Sequence, residues 1–235
     1  MISTAVVSAA GRGTRMKELT IDKPKHLLEV KGRPFISYLL DNLVEAGIEN
    51  ILLVVGHRKD RFDEFLSQND YPIIVVDQTD VVGDDYGTAI PIKSVEKLIG
   101  NQQFISLAGD HLYDVNDINK ISEENDWTYI GATRVKNPKG FGCLKIKEDQ
   151  LLEEIVEKPD KPPSKLINIS MYKFTSEIFP IISQLTLSER GEYEITDAIN
   201  ILAKQSRVKV IEVDRFYLDF GRPQDIKKME KLLKK

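Results

Sequence analysis

The feature that most constrains this chain of 235 residues is the alternation of short aliphatic runs with amphipathic stretches through its first half. Ala5 to Ser8, Ile51 to Val55, Ile73 to Asp77 and Phe104 to Leu107 are aliphatic runs of the kind found in strands covered on both faces. Between the first two, Phe35/Ile36, Leu39/Leu40 and Leu43/Val44 recur every three to four residues and Gly47 supplies a stop, which predicts a helix. Weaker helical periodicity runs through Phe62, Phe65 and Leu66, through Ala89, Ile92, Val95 and Leu98, and through Val115, Ile118 and Ile121. Strands alternating with helices predict a mostly parallel, doubly wound α/β sheet with ligands beyond the carboxyl ends of its strands. Leu52, Val54, Ile74 and Leu107 are expected in the core. The second half changes character: Thr128 to Thr133, Cys143 to Ile146, Leu151 to Glu157 and Leu166 to Phe174 are strand-like with short connections, which suits antiparallel pairing and makes the sheet mixed. Helices return at Ile178 to Leu185, Ile195 to Leu202 and Ile226 to Leu233, and Lys161-Pro162-Pro163-Ser164 reads as a loop inside one domain.

Composition excludes several classes. The single Cys143 rules out a disulfide framework and a multi-cysteine zinc site, and reads as a cytoplasmic thiol. Leaving glycine aside, the longest strictly apolar run is Ile51 to Val55, far short of the roughly 20 residues that a membrane helix needs. The N-terminus lacks the basic segment of a signal peptide. A net charge of −4 argues against a general nucleic-acid binder. That total conceals a basic stretch: up to residue 31, Arg12, Arg15, Lys17, Lys23, Lys25 and Lys31 outnumber Glu18, Asp22 and Glu29.

The basic stretch carries a glycine-rich loop, Ser8-Ala9-Ala10-Gly11-Arg12-Gly13-Thr14-Arg15-Met16, directly after the first strand. Small residues there let backbone N–H groups approach a phosphate closely, and the arginines add permanent charge beside that cradle. A dinucleotide fingerprint would have Gly or Ala where Met16 stands, and the Gly-Lys-Ser/Thr ending of a Walker loop is absent. Taken alone, the segment is also compatible with a tight strand-to-helix turn and solvated arginines.

Gly11-x-Gly13-Thr14-Arg15-Met16, then Pro24-Lys25, then Leu27-Leu28-Glu29-Val30-Lys31-Gly32-Arg33-Pro34 resemble the opening signature of the sugar-1-phosphate nucleotidyltransferase, or NDP-sugar pyrophosphorylase, family. Gly87-Thr88-Ala89, Gly109-Asp110, Gly142, Glu157-Lys158-Pro159, Asn168, Glu192-x-x-Ile195-Thr196-Asp197-Ala198-Ile199 and Asp219-x-Gly221 follow in the family's order. The resemblance implies a Rossmann-like, three-layer αβα domain of the nucleotide-diphospho-sugar transferase type. It implies a single domain over residues 1–235, without the C-terminal left-handed β-helix domain that longer relatives carry. It further implies a cytoplasmic, Mg²⁺-dependent enzyme whose partners are a nucleoside triphosphate and a sugar 1-phosphate, UTP or dTTP with glucose 1-phosphate being the family's commonest pairings. No nucleic acid or membrane partner is expected, and a homo-oligomer is compatible with the resemblance.

Each motif then has an implied role. Ala10, Gly11, Gly13 and Thr14 would line the triphosphate, Arg15 would hold the leaving pyrophosphate, and Lys25 would bridge the reacting phosphates. Gln78, Gly87 and Thr88 would lie on the nucleotide side, although Gln78 precedes Gly87 by nine residues where the family commonly has about five. Asp110 closes an aliphatic strand and, with Asp219, offers hard oxygens for one Mg²⁺. Lys158 would bind the sugar phosphate, with Glu157, Gly142 and Asn168 on the sugar hydroxyls. Because no histidine has ligand spacing to another, His26, His57 and His111 read as structural. Tyr193, Glu194 and Asp197 would shape the sugar side, although Thr196-Asp197 before Ala198-Ile199 reads equally as a helix start. Asn168-Ile169-Ser170 puts a side chain where the family commonly has glycine. A cytidylyltransferase acting on another phosphorylated alcohol or sugar, and a non-catalytic regulatory relative, are the alternative readings.

Overall fold

The computed structural model describes residues 1–56, 58–213 and 217–233; His57 lies outside the described residues. In chain order the elements are β1 (Thr4–Ser8), β2 (Glu29–Val30), β3 (Arg33–Pro34), α1 (Phe35–Glu45), β4 (Asn50–Val55), α2 (Asp60–Ser67), β5 (Ile73–Asp77) and α3 (Gln78–Val82). Next come α4 (Ile90–Lys93), α5 (Glu96–Ile99), β6 (Phe104–Ala108), β7 (His111–Tyr113), α6 (Val115–Ile121), β8 (Thr128–Arg134), β9 (Gly142–Ile146), β10 (Leu152–Glu157) and β11 (Leu166–Phe174). The chain continues through α7 (Ile178–Ile182), α8 (Ile195–Lys204), β12 (Val208–Glu212), β13 (Tyr217–Asp219) and α9 (Pro223–Leu232).

The main sheet runs β10-β9-β11-β6-β1-β4-β5, with β8 pairing both β11 and β12. Contacts of β1 with β4 and β6, of β4 with β5, and of β8 with β12 are parallel. Those of β11 with β6, β8 and β9, and of β9 with β10, are antiparallel. The mixed, mostly parallel α/β sheet with helices on both sides agrees with the sequence pattern.

Strand side chains alternate faces, so an uninterrupted aliphatic run feeds two cores at once. Ala5, Val7, Ile51, Leu53, Val55, Ile105 and Leu107 pack on one side with α1, α2 and α6. Val6, Leu52, Val54 and Phe104 pack on the other with Ile92, Ile99, α7 and α8. Ile74 corrects the expected core: it is 50% exposed, because β5 is the edge strand of the sheet order, with a strand neighbour on one side only. The periodicity from Ala89 to Leu98 forms two short helices rather than one, and Leu98 is exposed. Five strands escaped the sequence pattern, β2, β3, β7, β12 and β13, four of them only two or three residues long. Among the described residues, no helix is long and apolar enough to cross a membrane.

Candidate active site

The loops after β1, β5 and β6 leave the same edge of the parallel strands and open on one cavity of about 380 Å³. Ala10, Gly11, Arg15, Lys25, Gln78, Gly87, Thr88, Asp110, Gly142, Glu157, Lys158, Asn168 and Asp219 all line it. Gly13 and Thr14 do not. Gly13 sits at φ +64°, where a side chain is strained, and its added Cβ would stand 3.2 Å from the Thr20 methyl. The Thr20 hydroxyl donates to the Gly13 carbonyl at 3.1 Å and ties the loop to the 3-10 turn that follows. These two residues shape the loop behind its cavity-facing part.

Asp110 and Asp219 are far apart in sequence, and a two-stranded pairing joins them. β13 runs antiparallel to β7 with Asp219 opposite His111, and the Phe220 N–H donates to the Asp110 carbonyl at 2.8 Å. Directly opposed residues share a face, so the pairing places a carboxylate, an imidazole and a second carboxylate together. Asp110, His111 and Asp219 each offer one ligand atom, all within 4.8 Å of one another. His111 Nε2 stands 3.8 Å from Asp110 Oδ1 and 3.7 Å from Asp219 Oδ1. Its Nδ1 lies 3.1 Å from both the Ile169 carbonyl and the Tyr113 hydroxyl, and a proton on Nδ1 donated to that carbonyl leaves the Nε2 lone pair towards the carboxylates. Asp219 Oδ1 is buried without a hydrogen-bond partner among the described residues. Two carboxylates and an imidazole converging here, with Asp219 Oδ1 orphaned among the described residues, suit a cation. His111, read as structural from the sequence, stands in this group of potential ligand atoms while its Nδ1 contacts Tyr113 and Ile169.

Lys25 is the cation beside this cluster, its Nζ paired with Asp110 Oδ2. Burial pushes the Asp110 carboxyl up, but Lys25 foremost, with His111 and His26, overcomes this and holds it well below the usual carboxylate range. Burial and then the Lys25 ammonium push His26 down to about 3, so His26 is neutral at pH 7. Its Nδ1 has no hydrogen-bond partner among the described residues, and its ring stands 6.2 Å from that of Phe62. His26 is buried and also lines the cavity.

Of the nucleotide-side candidates, Gln78 is the first residue of α3, whose start is capped by Asp77 accepting from the Thr79 N–H at 3.0 Å. The nine-residue spacing from Gln78 to Gly87 is thus partly helical. Gln78 is buried, and its Oε1 has no hydrogen-bond partner among the described residues. Gly87 is at φ +138°, and an added Cβ would fall 2.3 Å from the Tyr193 carbonyl oxygen. That crossing is fixed by the Ala89 N–H to the Tyr193 carbonyl and the Tyr193 N–H to the Tyr86 carbonyl, both at 2.9 Å. Only glycine lets the two segments cross so closely.

The sugar-side candidates stand on paired strands. Gly142 is opposite Glu157 in the β9–β10 register, and an added Cβ on Gly142 would lie 2.8 Å from Glu157 Oε2. Lys158 follows at φ +44°, its N–H donating to the Phe141 carbonyl at 3.1 Å and its Nζ 3.5 Å from Glu157 Oε1. Asn168 precedes a register shift in β11; its Nδ2 donates to the Tyr172 hydroxyl at 2.7 Å and its Oδ1 accepts from the Ser170 N–H at 2.9 Å. Ser170 is at φ +54°, the left-handed region that favours glycine, which gives the Asn-x-Gly habit of such sequences a backbone reason. Burial pushes the Tyr172 phenol up to about 12.

A family model described as nucleotidyl transferase matches residues 4–235. This chain belongs to the nucleotidyl transferase family. Within it, a bifunctional sugar-1-phosphate nucleotidylyltransferase/acetyltransferase of Sulfurisphaera tokodaii is 36% identical over 224 residues, covering 94% of this chain and 53% of that protein. The chain spans about half the length of several curated relatives that it matches. The UTP–glucose-1-phosphate uridylyltransferase AglF of Haloferax volcanii is 34% identical over 247 residues, covering 97% of this chain and 96% of that protein. Among solved structures, a UDP-glucose pyrophosphorylase complexed with UDP-glucose shares the fold at a TM-score of 0.86 and 24% identity, with 99% of this chain and 98% of that chain covered.

Sequence reasoning gave this family member no role for Arg190, although it lines the cavity. Burial works against its guanidinium, and Glu194 more than offsets that through hydrogen bonds to Nε and Nη2. Glu192, Glu194 and Thr196 line the same wall, and the sequence signal for them was the Glu192-x-x-Ile195-Thr196 match, whose second half reads equally as the start of α8.

Proposed function

We propose that this chain transfers a nucleotidyl group from a nucleoside triphosphate to a sugar 1-phosphate, forming an NDP-sugar and pyrophosphate. The observation that carries the reading is the convergence of the Gly11 loop, Arg15, Lys25 and Asp110 with Glu157, Lys158 and Arg190 on one cavity. A phosphate monoester is largely dianionic at neutral pH, since its second pKa is about 6, so the attacking oxygen needs no general base. An oxygen of the sugar phosphate forms the new bond to the α-phosphorus, and the bond from that phosphorus to the pyrophosphate oxygen breaks. Cations and fixed geometry are what this step demands.

In this reading Ala10 and Gly11 bring backbone to the triphosphate while Gly13 and Thr14 shape the loop behind them, and Arg15 and Lys25 oppose the phosphate charge. Gln78, Gly87 and Thr88 serve the nucleotide side; Gly142, Glu157 and Asn168 serve the sugar, and Lys158 with Arg190 its phosphate. The family is generally divalent-metal dependent, and Asp110 and Asp219 would hold Mg²⁺, with His111 beside them. When bound, the ion would supply positive charge next to the reacting phosphates. The AglF relative supports UTP with glucose 1-phosphate, and a structural neighbour described as a putative glucose-1-phosphate thymidylyltransferase, 25% identical, supports dTTP. The test is pyrophosphate release across five triphosphates and several hexose 1-phosphates in Mg²⁺. Release for a UTP or dTTP pairing is expected, and no release for any pairing would reject the reading.

A further inference from the structure

A buried carboxylate links the nucleotide lip of the cavity to its sugar-phosphate lip. Glu194 is 4% exposed and stands at the entry to α8. Its Oε2 accepts from the Thr88 hydroxyl at 3.2 Å. Its Oε1 accepts from Arg190 Nε at 3.0 Å, from Arg190 Nη2 at 2.5 Å and from the Ser188 hydroxyl at 3.3 Å. Thr88 Oγ1 in turn accepts from the Ile195 N–H at 2.9 Å, which leaves its own proton for Glu194 and fixes the hydroxyl's direction. Arg190 also has a competing carboxylate: Glu157 Oε1 lies 3.9 Å from its Nη2 and 3.5 Å from Lys158 Nζ.

Burying a carboxylate is costly unless both oxygens are partnered, and here each oxygen is committed to a different lip. We propose that Glu194 is a positioning residue for both substrates: one oxygen fixes Thr88 and the other holds Arg190 away from Glu157, so that Arg190 and Lys158 both face the sugar phosphate. The inference rests on the nucleotidyl-transfer reading. Two substitutions separate the two oxygens. In Glu194→Ala both anchors are gone. In Glu194→Gln the amide nitrogen can donate to Thr88 Oγ1 while the amide oxygen faces Arg190, which keeps the Thr88 anchor but removes the charge that competes with Glu157 for Arg190.

The experiment measures KM for triphosphate and for sugar 1-phosphate in both variants, with calorimetric binding of UTP and of glucose 1-phosphate as a second readout that does not require turnover. Glu194→Ala is expected to weaken both substrates by roughly tenfold, and Glu194→Gln to weaken the sugar phosphate by a similar factor while leaving the triphosphate within about twofold. Thr88→Ala and Arg190→Ala give a check if Glu194→Ala does not fold. Sharing one carboxylate predicts that their double variant loses at least roughly threefold less than the product of the single losses. Equal effects of Ala and Gln on both substrates, unchanged affinities with a lowered melting temperature, or multiplicative losses in the double variant would overturn the proposal. A wild-type protein that binds both ligands but releases no pyrophosphate would reject the reaction instead, and the binding pattern of the variants would still decide the role of Glu194.

Discussion

The two halves of the cavity are built by different means. The proposed nucleotide half hangs on segments that follow parallel strands: Gly11 and Asp110 in the turns after β1 and β6, and Gln78 at the start of the helix after β5. The proposed sugar half hangs on the strands themselves, where Gly142 meets Glu157 through the β9–β10 register and Asn168 sits at the irregularity of β11. Loop residues are placed by the end of a strand, whereas strand residues are placed by a partner that is remote in sequence. Asp219 belongs to the second kind although its proposed role is in the first half, because the β7–β13 pairing carries it to Asp110.

The largest expected effect breaks that bridge. Asp219→Asn should lower turnover on the order of 10²-fold or more, with a melting temperature close to wild type, because Oδ1 has no hydrogen-bond partner to lose among the described residues. Asp110→Asn should cost comparable activity and also stability, since it leaves Lys25 without its carboxylate. Steady-state kinetics with thermal melts would distinguish them; equal melting losses would contradict the contrast. Next in size, Lys158→Ala should raise KM for the sugar phosphate roughly 10- to 100-fold and leave KM for the triphosphate within about threefold. Gly142→Ala should act on the same side more weakly, by about tenfold, because its methyl group would displace Glu157 rather than remove a charge.

How much of this was readable follows from the same difference. The runs at Val6, Leu52 and Leu107 announced buried parallel strands, and the Gly11 and Asp110 loops could be placed at their ends from order alone. His111 was read as structural for want of a second histidine at ligand spacing, because the strand of three residues that brings Asp219 opposite it leaves no periodic trace. Arg190 was missed for a similar reason, as its place depends on Glu194 and not on a strand or helix pattern. Ile74 was misplaced because an aliphatic run does not say which strand lies at the edge of a sheet.

Two smaller effects sharpen the comparison in the nucleotide half. The depressed Asp110 carboxyl stays charged through the neutral range, so the stability it contributes is present above the ordinary carboxylate pKa and is lost as pH falls below it. His26, pushed down to about 3, acts at higher pH: the unfolded chain takes up its proton first, so stability falls as pH drops from about 6.5 towards 3. Denaturant unfolding at several pH values should show that slope in the wild type and a flatter one in His26→Asn. The smallest effect concerns the edge strand. Ile74→Ala should cost under about 1 kcal/mol, against about 2 to 5 kcal/mol for Leu52→Ala on the neighbouring strand.

That the two halves serve one displacement is tested most directly by following an isotope. Glucose 1-phosphate labelled with ¹⁸O in its non-bridging phosphate oxygens is incubated with UTP or dTTP, Mg²⁺ and the protein, and the products are weighed by mass spectrometry. Attack by the sugar phosphate predicts that all of the label appears in the nucleotide sugar and none in the pyrophosphate. Labelled pyrophosphate, or unlabelled nucleotide sugar, would contradict the account.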